Sequence, residues 1–185
     1  MLAQLRNFLL YSTLDPEVSG VLWIDADVVG IPENLLSEIV DSGKDIATAI
    51  CVTPDGKEYD RNTWVGPRKK PTPGQLEEIR RSQHERASVS FIPDRTGDTR
   101  YLSDMSNRHG PKFVPVDSVG GTFLYIKAQA HRSGIDFPTL MLIGIHDWDM
   151  KEGWDGMETE GICYTAKRLG YQCWGMPQDI VVHGF

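Results

Sequence analysis

The 185-residue sequence predicts an α/β fold, apolar strands in a sheet with helices packed on it. Three observations carry that prediction. Val21-Leu22-Trp23-Ile24 is a short continuous apolar run of branched and aromatic residues, which reads as a buried strand of a covered, largely parallel sheet. A helix opened by Pro32 and a second apolar run over 45–52 follow it, a strand–helix–strand order that implies a right-handed crossover. Late in the chain, Glu158 to Leu169 has helical periodicity, with Lys167 and Arg168 in its last turn and Gly170 as its stop.

The other elements follow from local chemistry. Residues 2–12 read as a helix with Leu2, Leu5, Leu9 and Leu10 on one face. Residues 14–20 are a loop carrying the turn signal Asp15-Pro16, and the first strand then runs to Asp27. The Pro32 helix reaches Val40, and Asp41-Ser42-Gly43 closes it. Residues 53–72 are polar and rich in proline and glycine, a long loop at the site end of the sheet; loops of that length in compact domains are usually functional or disordered. An exposed helix over 75–86, a short strand over 88–92 and a loop over 93–111 come next. Extended chain over 114–119 and 122–126 is broken by Gly120-Gly121, a pair that marks a bulge or a close approach of backbone to ligand. Residues 128–133 form a short helix, 135–148 are apolar and irregular, and 171–174 and 179–182 are short strands. The chain reads as one domain, 1–185.

Composition narrows the function. The net charge is −7, and no basic stripe with interleaved aromatics is present, which argues against nucleic-acid binding. No run is apolar and long enough for a transmembrane helix, and the first ten residues are too short in their apolar part for a secretory signal. Cys51, Cys163 and Cys173 make no zinc pattern; their odd number fits no disulfide framework, although one bridge is allowed.

The chemistry concentrates at Asp25 and Asp27. Acids are rarely buried unless paired or on a metal, so both belong at the strand's carboxyl end, where open α/β sheets bind ligands. In extended chain residues i and i+2 share a side, so both carboxylates face one object. Hard oxygen donors suit Mg²⁺ or Mn²⁺ bridging to a substrate phosphate. Three readings fit: a strand end with two solvated aspartates, the D-x-D of a nucleotide-sugar glycosyltransferase, or a haloacid dehalogenase-type phosphohydrolase. In the last, Asp25 is the nucleophile and Asp27 the acid/base, with Ser118 and Lys127 recruited from downstream.

Further motifs decide between these. Val21 to Asp27 with the Pro32 helix comes first. Val119-Gly-Gly-Thr-Phe-Leu-Tyr-Ile-Lys-Ala with His131-Arg132 follows, then Glu158-Thr-Glu-Gly with Ala166-Lys-Arg-Leu-Gly-Tyr, and finally Val181-Val-His183. This set, over roughly residues 1–55 and 113–185, resembles the fungal mannan polymerase subunits, glycosyltransferase family 62. The resemblance implies a GT-A-like fold, a mixed sheet flanked by helices. It also implies GDP-mannose-dependent α-mannosyl transfer, with retention, to a mannan or N-glycan acceptor on the lumenal side of the Golgi membrane. Other mannan polymerase subunits are the implied partners. The family's anchor and amino-terminal strand–helix region, which helps bind guanosine, have no counterpart before the D-x-D strand. The expectation is therefore an amino-terminally truncated domain, a fragment or one completed by another chain or a changed fold, or a non-catalytic scaffold subunit.

Carried onto this sequence, the resemblance makes Asp25, Asp27 and His183 the metal ligands and Glu158 and Glu160 the acid motif. It makes Arg6 the arginine that precedes the D-x-D strand, suited to a diphosphate. The histidine favours Mn²⁺ over Mg²⁺. If both glutamates were helical they would diverge by about 200°. At most one therefore aims into the site, to stabilise charge at the anomeric carbon or bind an acceptor hydroxyl, and Glu160 is the choice. Gly120 and Gly121 bring backbone to sugar or phosphate, and Asp117 reaches the mannose hydroxyls. Asp147-Trp148-Asp149 is either a sugar-docking loop or a solvated turn. Trp23, Trp64, Trp154 and Trp174 are sugar platforms or core.

Overall fold

The computed structural model describes residues 1–66, 73–74, 77, 81, 99–140, 156 and 158–184. Helices run over Leu2–Thr13 (α1), Leu35–Ser42 (α2), Ala128–Arg132 (α3) and Thr159–Arg168 (α4). Strands are Gly20–Ile24 (β1), Val28–Gly30 (β2), Ile46–Val52 (β3), Trp64–Val65 (β4), Arg100–Tyr101 (β5), Val114–Pro115 (β6), Phe123–Lys127 (β7) and Cys173–His183 (β8). The chain sorts into two compact units. Met1–Val65 with Tyr101–Phe185 holds the main sheet, and Gly66–Arg100 is the other. The helix expected over 75–86 and the strand over 88–92 fall almost wholly outside the described residues, as do Asp147-Trp148-Asp149 and Trp154.

The sheet order is β1-β7-β3-β8-β2, with β6 also paired to β8. β7 lies antiparallel to both β1 and β3, while β3 and β8 are parallel. The sheet is therefore mixed, not largely parallel, and β7 is inserted between the two strands of the expected crossover. The central strand β3 is buried through six consecutive residues, which is why it reads as a continuous apolar run. Side chains alternate between faces. Ile46, Ile50, Leu124 and Ile126 join Ile162 and Ala166 of α4 and Ala130 of α3, and Ala47, Ala49, Phe123 and Tyr125 join Leu35 and Ile39 of α2. Helices thus cover both faces, as an α/β fold requires.

Four expectations are corrected. β1 is half-buried at one end of the strand order, and Ile24 is 43% exposed, because its apolar residues cover one face of an edge rather than fill a centre. α1 turns Ala3, Arg6 and Leu10 inward and leaves Leu2, Leu5 and Leu9 exposed. Asn7 fixes that rotation by exchanging two hydrogen bonds with the Phe137 backbone, at 2.8 and 2.9 Å. Residues 171–174 and 179–182 belong to one strand, β8, whose register on β3 slips between Met176 and Ile180. Pro177 lies in that interruption and has no N–H to give a ladder. The loop over 93–111 contains β5 and a 3₁₀ turn at Leu102–Met105.

Cys163 of α4 and Cys173 of β8 form a disulfide, both buried. With ten residues of sequence separation, closing this loop restricts the unfolded chain by about 3 kcal/mol. Dithiothreitol should therefore lower the urea midpoint of unfolding by a matching amount; an unchanged midpoint would mean that the bridge contributes nothing.

Candidate metal centre

β3 and β8 run parallel and end together, with Val52 beside Val182, so His183 sits at the carboxyl end of the sheet. β2 returns antiparallel to β8 and pairs Val28 with His183. β1 stops at Ile24, and Asp25-Ala26-Asp27 forms the turn into β2, closed by the Val28 N–H on the Asp25 carbonyl at 3.2 Å. The two aspartates are therefore brought together by a turn, not by extended chain. The turn is anchored at both ends, by the Asp25 N–H on the Thr122 carbonyl at 3.0 Å and the Gly184 N–H on the Asp27 carbonyl at 2.7 Å.

One donor atom each from Asp25, Asp27 and His183 lies within 4.8 Å of the others. Nε2 of His183 is 2.8 Å from Oδ1 of Asp27. The imidazole is 2% exposed while both carboxylates are half-exposed, so the cluster has a buried side and an open one. Two carboxylate oxygens and an imidazole nitrogen fit a divalent ion that takes mixed oxygen and nitrogen ligands, Mn²⁺ before Mg²⁺.

Arg6 ties this cluster to the acid motif. It is 7% exposed, ion-paired to Glu158, 3.5 Å from Oδ1 of Asp25, and donates to the Gly121 carbonyl at 3.3 Å. Its guanidinium lies 5.2 Å from the Phe137 ring and 6.0 Å from Trp23, distances of cation–π attraction. Glu158 precedes α4 with φ 58° and ψ −128°, the one non-glycine residue with positive φ among those described. Such backbone costs on the order of 1–3 kcal/mol and clusters at functional sites. Glu160 lies half-buried on the first turn of α4. Arg6 thus joins Glu158 to Asp25.

The close approach expected at Gly120-Gly121 is made by the chain's own side chains. A Cβ on Gly120 would stand 2.1 Å from Oδ2 of Asp60, and one on Gly121 would stand 2.7 Å from Nη1 of Arg6. Asp60 Oδ2 accepts from the Gly121 and Thr122 N–H groups at 2.8 and 3.2 Å, and the Thr63 hydroxyl accepts from the Gly120 N–H at 2.9 Å. Asp60 therefore sets the turn from which the Asp25 amide hangs. Tyr59 stacks on His183, ring centroids 3.7 Å apart. Partial desolvation, then the Asp27 and Asp25 carboxylates, push its phenol above the ordinary value. Sequence reasoning singles out no residue of 59–63; the length and polarity of the 53–72 loop are the only signals that point there.

Asp117 gives its N–H to the Trp64 carbonyl at 3.0 Å. Trp23 packs edge-on against Phe137, Trp64 is buried, and Trp174 lies under the Lys44 ammonium. Lys127 pairs with Asp45 and with the Gly43 carbonyl, opposite Gly20 at the start of β1, so it is far from Asp25 and the phosphohydrolase reading loses its lysine. His131 is buried with Nδ1 on the Ile135 carbonyl at 2.6 Å, and burial holds its pKa below the ordinary value. Arg132 binds the carbonyls of Asp15, Pro16 and Val18. Cys51 is a buried thiol that burial pushes up to about 11, hence unreactive.

The family model described as Anp1 matches residues 1–141. The chain is 30% identical over 189 residues to the mannan polymerase complex subunit mnn9 of Schizosaccharomyces pombe, covering 98% of this chain and 51% of that protein. It is 29% identical over 204 residues to the mannan polymerase complex subunit MNN9 of Candida albicans, covering 99% and 48%. The mannan polymerase I complex VAN1 subunit of Saccharomyces cerevisiae is 24% identical over 197 residues, covering 99% and 33%. The chain thus spans about half the length of the first two relatives, or less for the third.

Proposed function

The chain belongs to the Anp1 family, and from that premise we propose that it is the sugar-transfer domain of a mannan polymerase subunit. It moves mannose from GDP-mannose to a mannose-bearing glycan, with retention. The observation that carries this reading is the convergence of Asp25, Asp27 and His183 at the carboxyl end of the sheet, with Glu158 bound to the same arginine as Asp25. A divalent ion bound there, Mn²⁺ by preference, would neutralise charge developing on the departing diphosphate. Asp27 and His183 would hold it directly, and Asp25 would complete the set. Arg6 keeps Asp25 aimed. Glu158 carries negative charge where positive charge builds at the anomeric carbon, or accepts a hydrogen bond from the acceptor hydroxyl. The Cys163–Cys173 bridge supports an oxidising compartment, as a Golgi lumen is. Among the described residues no helix is long and apolar enough to cross a membrane.

A second reading, a non-catalytic subunit of the same complex, draws on the self-occupied groups. Arg6 is held by the chain's own acids, and the amides of Gly120 and Gly121 by Thr63 and Asp60. Transfer of labelled mannose from GDP-mannose to an α-mannobiose acceptor separates the two. The catalytic reading expects transfer that EDTA abolishes and Mn²⁺ restores. No transfer with Mn²⁺ present, while the ion itself binds, would favour the scaffold.

A further inference from the structure

We infer that Tyr59 is a positioning residue for His183, holding the imidazole in the plane that aims Nε2 at the Asp25–Asp27 turn. The inference rests on the metal reading above. After β3 the chain reverses in a tight turn, with the Thr53 N–H on the Lys57 carbonyl and the Gly56 N–H on the Thr53 carbonyl, both at 2.8 Å. Gly56 takes φ 80° there, a backbone conformation open to glycine. The turn brings residues 58 and 59 back along the end of β3: Glu58 bridges to Val52, and the Tyr59 N–H donates to the Cys51 carbonyl at 2.9 Å. Val52 and Val182 are register partners, so Tyr59 arrives over His183, the next residue of β8. The rings stack at 3.7 Å and 16°. On its other side Tyr59 is followed by Asp60, whose carboxylate is fixed on the Gly121 and Thr122 amides.

The backbone of His183 is held by pairing with Val28. The bond to Asp27 fixes where Nε2 sits. A flat aromatic face at stacking distance opposes tilt of the ring and shuts out water, consistent with 2% exposure of His183 so close to a strand end. Tyr59 itself is 45% exposed, so its ring belongs to the site wall more than to the core. Partners that orient a ligating histidine typically matter 10–100-fold in metal affinity.

The test is Mn²⁺ affinity of the intact chain by electron paramagnetic resonance, with thermal melting alongside. Tyr59→Ala should bind Mn²⁺ about tenfold more weakly. Tyr59→Phe, which keeps the flat face, should bind within about twofold of the unsubstituted chain, and both should melt close to it. Nuclear magnetic resonance of the metal-free protein gives a second readout. The His183 ring protons should keep their ring-current shift in Tyr59→Phe and lose it in Tyr59→Ala. Equal Mn²⁺ affinity in all three proteins, or an unmoved His183 signal in Tyr59→Ala, would overturn the assignment while leaving the metal reading intact. Loss in Tyr59→Phe equal to that in Tyr59→Ala would move the role to the hydroxyl and also overturn it. Failure of the unsubstituted chain to bind Mn²⁺ would overturn the metal reading and this assignment together.

Discussion

Arg6→Met should lower the stability of the fold by about 3 kcal/mol. Methionine keeps the length and the apolar contact with Phe137 and Trp23 but removes the charge. Glu158 and Asp25 would then face each other and the Gly121 carbonyl with no cation between them. Breaking a buried pair from one side costs roughly 3–5 kcal/mol. The lower figure applies because the Glu158 and Asp25 side chains are 22% and 36% exposed, and water can reach them. Urea denaturation reads the loss directly. Arg6→Met combined with Glu158→Leu should recover much of it, since the uncompensated charge is gone. Stability within about 0.5 kcal/mol of the parent would mean that Arg6 is not the tie between helix α1 and the acid motif.

Asp27→Ala should weaken Mn²⁺ binding by at least about 100-fold, the upper end of what even an outer partner of a metal site contributes. Asp27 is the aspartate bonded to His183, so its loss removes one ligand and frees the other. Its own side chain is 42% exposed, which predicts a small change in stability beside the large change in affinity. Asp25→Ala should be milder for the metal, because Asp25 is the member shared with Arg6. Equal Mn²⁺ affinity in the Asp27 variant and the parent would place the ion elsewhere.

Much of this centre was legible in the sequence, and the illegible parts have identifiable causes. Asp25 and Asp27 stand out because carboxylates directly after an apolar strand need a partner. His183 is invisible to spacing, since the parallel pairing of β3 and β8 is what brings the far end of the chain back to the D-x-D turn. Only the family resemblance reached it. The rotation of α1 was misread because periodicity reports that one face is apolar, not which face meets this chain's core. There the Asn7–Phe137 bonds and the Arg6 ion pairs outweigh the exposure of Leu2, Leu5 and Leu9. The divergence of Glu158 and Glu160 was argued for two helical residues, whereas Glu158 stands outside α4 at positive φ. Tyr59 and Asp60 act through contacts with β8 and with the glycine turn, so no local pattern announces them.

The central claim is that the Asp25–Asp27–His183 centre recruits a nucleotide diphosphate through a divalent ion. Calorimetric titration of GDP into the purified chain, with Mn²⁺, without it, and with Asp27→Ala, tests it most directly. The account predicts binding that requires Mn²⁺ and disappears in the variant. GDP binding of equal strength with and without Mn²⁺, or retained in Asp27→Ala, would contradict it, and so would Mn²⁺ binding that brings no affinity for GDP.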